Sequence, residues 1–144
     1  MFRISTKGSY GLRAVLDLAG NSGGRPVPLK EIAKRQEISE GYLEQLLTTL
    51  RKAGIVKSVR GQRGGFVLAK SPRDITVGDI IRILEGPIAP MDCVQDDSHV
   101  SCEQISSCVL RLVWLRLKEN IQEAVDSITI EDLAAEAKRR QQTG

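Results

Sequence analysis

Leu43, Leu46, Leu47 and Leu50 recur at i, i+3, i+4 and i+7, an apolar stripe that fits a helix over about 40–53, and Gly54 stops it in the usual C-terminal glycine manner. The character of the chain then changes. In IVKSVRGQRGGFVLAK two β-prone pieces, 55–59 and 66–68, flank a turn rich in Gly and Arg, which reads as a hairpin. Two shorter helical patterns come before the leucine stripe. Leu12, Val15, Leu16 and Ala19 share a face over 6–20 until Gly20 and NSGGRP end it, and PLKEIAKRQ turns Leu29, Ile32 and Ala33 inward. Ser39 stands where an N-cap opens the third helix. Three short helices followed by a hairpin make a winged helix-turn-helix, whose third helix enters the major groove of DNA while the hairpin touches the neighbouring backbone or minor groove. A helix-rich domain that merely ends in a hairpin shares this pattern, so further features must decide.

Charge is one such feature. The whole chain carries +3, but residues 1–73 hold 14 Lys plus Arg against 5 Asp plus Glu, a net of +9, and residues 74–144 hold 7 against 13, a net of −6. A basic half joined to an acidic half points the first toward a polyanion. The hairpin tip, VRGQRGG, sets Arg60 and Arg63 around Gly61 on a loop that can approach phosphates closely, and an arginine at a narrow minor groove reads shape as well as charge. Gly64 and Gly65 can equally be the residues that let the turn form. The start of the chain lacks a secretory pattern and no apolar run approaches the roughly 18 residues of a membrane span, so a cytoplasmic protein without a membrane partner is expected. With 3% aromatic residues, the core is expected to be mostly Leu, Ile, Val and Ala.

Beyond the hairpin, Thr76 and Asp79 fit a capping box that opens a fourth helix, ITVGDIIRILEG, ended by GPIAP. Leu110, Trp114, Leu117, Ile121, Ala124 and Ile128 follow at intervals of 4, 3, 4, 3 and 4, the seam of a long helix that packs along a partner or on its own domain. Thr129 and Asp132 suggest a capped last helix. The expected architecture is mainly α with a small β-hairpin. Residues 1–73 form the winged helix-turn-helix domain, and residues 74–144 carry a cysteine-containing loop and the dimerisation helices.

The loop is DCVQDDSHVSCEQISSC, residues 92–108, which gathers all three cysteines and the only histidine. Three cysteines cannot all pair within one chain, so metal binding or redox chemistry is favoured over disulfides. Thiolates are the ligands an iron-sulfur cluster requires, and a polar, irregular loop lets Cys93, Cys102 and Cys108 converge. Cys108 lies near the start of the long helix, whose N-terminal dipole favours its thiolate form. Unmetallated surface thiols are the plainer reading. A closed zinc site needs a fourth ligand beside the three thiolates, and a redox enzyme lacks a Cys-x-x-Cys pair and a general base.

ISTKGSYGLRAVLDLA, ISEGYLEQLLTTLRKAGIVKSVRGQRGGFVLAK and ITVGDIIRILEG closely resemble the Rrf-type winged-helix regulators, a bacterial family that includes an iron-sulfur regulator, a nitric-oxide sensor and a repressor of cysteine metabolism. The resemblance covers nearly the whole chain and implies a homodimer on double-stranded DNA, each subunit contributing a long helix that crosses its partner. It puts Ser39, Tyr42, Glu44 and Gln45 at the start of the recognition helix and Arg60 in the minor groove. The chemistry suits those places. Gln pairs with an adenine edge, Glu accepts from cytosine, Ser and Tyr hydroxyls hold phosphates, and Arg51 or Lys57 adds nonspecific charge. A carboxylate near phosphate costs affinity unless it meets a base, which makes Glu44 a discriminator or else a member of a surface ion pair.

The resemblance also implies a cluster of the 2Fe-2S or 4Fe-4S kind on the three cysteines, although eight residues separate Cys93 from Cys102, a wider gap than cluster-bearing members commonly have. The fourth ligand stays open. Arg111 stands where the iron-sulfur regulator has histidine, and Ser9 where some nitric-oxide sensors have aspartate, which leaves His99, Asp92, Asp96, Asp97, Glu103 or an external ligand. The expectation is a non-enzymatic transcription regulator controlled by its cluster. The alternative is a cluster-free repressor of cysteine metabolism with a cysteine-biosynthesis enzyme as partner, which the missing fourth ligand and the EGPI segment favour.

Overall fold

The structure is a computed structural model that describes residues 3–21, 23–95 and 107–143. Among these residues six helices and a two-stranded antiparallel hairpin follow one another as α1 (Thr6–Asn21), α2 (Leu29–Gln36), α3 (Glu40–Lys52), β1 (Val56–Val59), β2 (Gly65–Leu68), α4 (Val77–Glu85), α5 (Arg111–Asp126) and α6 (Ile130–Thr143). Short 3₁₀ turns lie at Pro72–Asp74 and Asp92–Val94. None of the described helices is long and apolar enough to cross a membrane.

The leucine stripe is buried as its spacing requires, with Leu43, Leu47 and Leu50 fully enclosed and Leu46 nearly so. Ser39 caps α3, its Oγ accepting from the Tyr42 amide at 3.3 Å. The turn from α2 into α3 passes through Glu37 at φ 54°, a left-handed position that a side chain seldom occupies. Backbone bonds fix it: the Glu37 and Ile38 amides both donate to the Ala33 carbonyl, the latter at 3.1 Å.

One apolar cluster joins the two halves of the sequence. Val15, Leu18, Ile32, Leu43, Leu47 and Leu50 pack with Ile75, Ile80 and Ile130, all essentially without exposure, so the charge division at Arg73 coincides with no break in the core. A carboxylate is buried beside it. Asp17 is 3% exposed and accepts from Arg35 Nε and Nη2 at 3.0 and 2.8 Å and from Gln36 Nε2 at 2.9 Å, tying α1 to α2. These charge-assisted bonds satisfy both carboxylate oxygens, the condition under which such burial is tolerated. The same contact holds the Arg35 guanidinium above its usual pKa, chiefly through the hydrogen bond to Asp17.

The hairpin pairs Val56 with Leu68 through Val59 with Gly65. Sequence patterning missed its third member: Val27 and Phe66 exchange backbone bonds of 2.9 and 2.8 Å, which clips the wing to the segment before α2. Only glycine fits at 65, because a Cβ there would stand 2.3 Å from the Val27 carbonyl oxygen. The Thr76 and Asp79 capping box is present at α4, and the reciprocal bonds of Thr129 and Asp132, both 3.0 Å, open α6. Backbone bonds from Val77 to Ile128 and from Ile130 to Ile75, each 2.9 Å, fasten the α5–α6 link to the start of α4.

Candidate nucleic-acid interface and thiol segment

Two groups of candidate residues lie on exposed surface. On the first turns of α3, Ser39, Glu44 and Gln45 are exposed and Tyr42 is half-buried. At the wing tip, Arg60, Gly61 and Arg63 are exposed, with Gly61 at φ 115° and its carbonyl accepting from the Gly64 amide at 3.0 Å. Arg51 and Lys57 join the groups. Arg51 Nη1 donates to Ser58 Oγ at 3.4 Å, a link from the end of α3 to β1, and Lys57 is exposed on that strand. The Ser39 lone pair is engaged by the Tyr42 amide, so its O–H remains a donor for an acceptor outside the chain. Glu44 makes no ion pair among the described residues, so the salt-bridge explanation of its position has no support there.

Beside the named residues stand Arg25, Tyr10 and Arg13, which patterning had not singled out. Arg25 and Arg63 face one cleft of about 760 Å³ between the wing tip and the segment before α2. Tyr10 on α1 meets the Tyr42 ring nearly perpendicularly with centroids 6.0 Å apart, and Arg13 Cζ lies 5.4 Å from the Tyr10 centroid. No periodicity signals a contact between positions 10 and 42; it arises from the crossing of α1 and α3.

The thiol segment leaves the core after α4. Cys93 occupies the Asp92–Val94 turn, anchored by buried Val94, and Asp92 is exposed there. Cys108 precedes α5, and its carbonyl accepts from the Arg111 amide at 3.3 Å. Both thiols are free and half-buried. Cys102, His99, Asp96, Asp97 and Glu103 lie outside the described residues, among which no group of three metal-ligating side chains occurs. Ser9 is half-buried on α1, with its amide donating to the Ser5 carbonyl at 3.1 Å.

Arg111 supplies a test of fit. Its Nε is buried without a hydrogen-bond partner among the described residues, one turn from Cys108, and an orphaned cationic donor calls for an anionic acceptor. A thiolate-ligated group carries negative charge, so the two described cysteines and Arg111 suit one chemically. Were such a group held there, the thiols would be its ligands and the arginine only a donor beside them.

The long-helix seam is covered only in part. Trp114 and Ile121 are half-buried with Leu115 and Val125, while Leu110 and Leu117 are 57% and 41% exposed. The pattern also overruns the helix at both ends, since Leu110 is the N-cap and Ile128 lies beyond the last turn. Val109, Leu112 and Val113 extend the uncovered apolar face.

Comparison with known proteins agrees with this arrangement. The model of the Rrf2 family, described as iron-dependent transcriptional regulators, matches residues 4–136. The transcriptional regulator CymR of Bacillus subtilis is 47% identical over 133 residues, covering 92% of this chain and 90% of that one. The solved structure of CymR, the global cysteine regulator of B. subtilis, superposes with a TM-score of 0.78 at 48% identity over 94% of this chain and 98% of that one. That of T. potens IscR superposes with a TM-score of 0.79, also at 48% identity, over 97% and 91%. The hairpin clipped to Val27 is thus the wing of a winged helix-turn-helix, and the chain belongs to the Rrf2 family of transcriptional regulators rather than to any class of enzyme.

Proposed function

We propose that this regulator is a cytoplasmic homodimer that binds double-stranded DNA through α3 and the wing, and that an iron-sulfur cluster on Cys93, Cys102 and Cys108 sets its DNA affinity. One observation carries the cluster reading: every cysteine of the chain falls in the segment joining the core to α5, and the two described ones stand free and half-buried at its ends. A cluster held there supplies an iron centre that oxidants, nitric oxide or iron shortage can alter.

The chain's own residues do the rest. Ser39 and Tyr42 donate to phosphate, Gln45 pairs with a base edge, Glu44 accepts from a cytosine amine, and Arg60, backed by Gly61 and Arg63, enters the minor groove. Arg51 and Lys57 add charge along the backbone, which makes binding steeply salt-dependent. Arg111 donates its orphaned Nε toward the thiolate side. Because the segment runs into α5, a change at the thiolates alters the placement of α5, and two α5 helices paired across a dimer fix the spacing of the two recognition helices. Coupling of this kind shifts a population between two arrangements of one dimer.

A second reading has its own support. The similarity to CymR favours a repressor of cysteine metabolism that acts with a cysteine-biosynthesis enzyme and needs no cluster. Anaerobic purification followed by visible absorption and by iron and acid-labile sulfide per subunit separates the two. Stoichiometric iron and sulfide, abolished by Cys93→Ala, Cys102→Ala and Cys108→Ala together, support the cluster. A colourless protein that binds DNA, and in which reconstitution also fails, overturns it in favour of the second reading.

A further inference from the structure

Of the α3 residues proposed to meet DNA, Tyr42 alone is half-buried, packed at the edge of the core beside Tyr10. The Tyr10 ring stands at 80° to it with centroids 6.0 Å apart, within the range of an edge-to-face pair. On the next turn of α1, the Arg13 guanidinium lies 5.4 Å from the Tyr10 centroid, a cation-π distance. Arg13 is exposed and makes no ion pair among the described residues, so Tyr10 is the contact that orients it. Cation, ring and ring thus form a ladder from the surface of α1 to the first turn of the recognition helix. The Tyr42 amide is independently held by Ser39, so both the backbone and the ring of this residue are fixed before any ligand arrives.

We infer that Tyr10 and Arg13 are positioning residues for DNA recognition: they hold the Tyr42 ring in one orientation so that its hydroxyl reaches the duplex already ordered. This rests on the proposed DNA contact of Tyr42. A tyrosine that must be immobilised on binding loses rotamer freedom at that moment, and prior ordering removes the loss. The expected gain is about fivefold per half-site and so about 25-fold for a dimer that uses the ladder twice. The ladder acts through Tyr42, so it should leave the number of phosphate contacts unchanged.

The test uses the full-length protein, a duplex enriched by it from random-sequence DNA, and a scrambled duplex of equal composition. Arg13→Ala and Tyr10→Leu should each weaken binding to the enriched duplex, Arg13→Lys should restore part of the loss, and Tyr10→Phe should bind as the parent does. Binding to the scrambled duplex should weaken in step, since a phosphate contact carries no sequence information, while the slope of log K against log salt should stay unchanged, and in a Tyr42→Ala background Arg13→Ala should have no further effect. Because Arg13 is exposed, its variants test the ladder even where Tyr10→Leu fails to fold. A slope that falls by about 0.9 per protomer in Arg13→Ala makes Arg13 a direct phosphate contact and overturns the inference. Losses that add in the Tyr42→Ala background, or parental affinity in Arg13→Ala, overturn it as well. If the parent enriches no duplex, the DNA-binding reading itself fails; if it enriches one that the Arg13 variants bind equally well, only the ladder fails.

Discussion

Helices α1 and α5 have the same length, 16 residues each, and opposite fates. The first buries Ala14, Val15 and Leu18 and even draws the carboxylate of Asp17 into the protein, where Arg35 and Gln36 satisfy it. The second has no buried residue, although it carries Leu112, Val113, Trp114, Leu115 and Leu117, and it leaves Leu112 70% exposed. The core face of α1 is buried within one chain. That of α5 is not, and a helix that keeps large aliphatic side chains in water on one side while resting on α4 with the other has a face suited to a second surface. The contrast separates a helix buried by the chain's own fold from one whose outer face that fold leaves open.

The largest effect is expected on α5. In the proposed dimer, Val113→Asp puts a carboxylate on the uncovered face of α5 that a two-fold axis presents twice, so dimerisation should weaken by about 4 kcal/mol, roughly a thousandfold. Unfolding of the dissociated chain should change by less than about 0.5 kcal/mol, as for an exposed site. Sedimentation equilibrium and urea unfolding at several concentrations measure both; an equal loss in the isolated chain would place Val113 in the fold and erase the contrast. On α1 the pattern should invert. Leu18→Ala empties a site with no exposure and should cost about 3 kcal/mol at every protein concentration. A concentration-dependent loss there would mean that α1, too, depends on a second copy.

What could be read from the sequence follows the range of each interaction. The leucine stripe of α3, the Ser39 cap, the boxes at Thr76 and Thr129 and the hairpin are all decided within a few residues, and they stand where the pattern put them. The Val27–Phe66 clip, the Asp17–Arg35 pair and the Tyr10–Tyr42 contact join single residues far apart in the chain, where no period accumulates a signal. The seam of α5 is an intermediate case. Its spacing identified the apolar positions but not the surface each one meets, so Trp114 and Ile121 turned out half-buried on the chain itself while Leu110 and Leu117 stay uncovered. For the candidate site, sequence named the thiols and the polar residues of α3. It gave no sign of the orphaned Arg111 Nε, which is a property of packing.

The smallest predicted effect lies where the two kinds of helix are joined. Arg82 on α4 grips Asp126 at the last turn of α5 with two bonds of 2.7 and 2.8 Å, and Gly78 leaves the room, since a Cβ there would fall 2.0 Å from Asp126 Oδ1. The hydrogen bond from Arg82 holds the Asp126 carboxyl below its ordinary value of 3.8 against a smaller opposing cost of burial. The sign follows from that direction. A carboxyl with a lower pKa in the folded state contributes stability that is fully present above 3.8 and is lost as pH falls through the lower folded value. Asp126 is 43% exposed, so water screens the pair and its contribution is under about 1 kcal/mol. Asp126→Asn should therefore lower stability slightly at neutral pH, with the deficit fading in acid and at high salt. The more telling measurement is the proposed dimer, because this clamp fastens the end of α5 to α4: a loss of dimer affinity larger than the loss of fold stability would show that the joint serves the assembly, and equal losses would show that it serves only the chain.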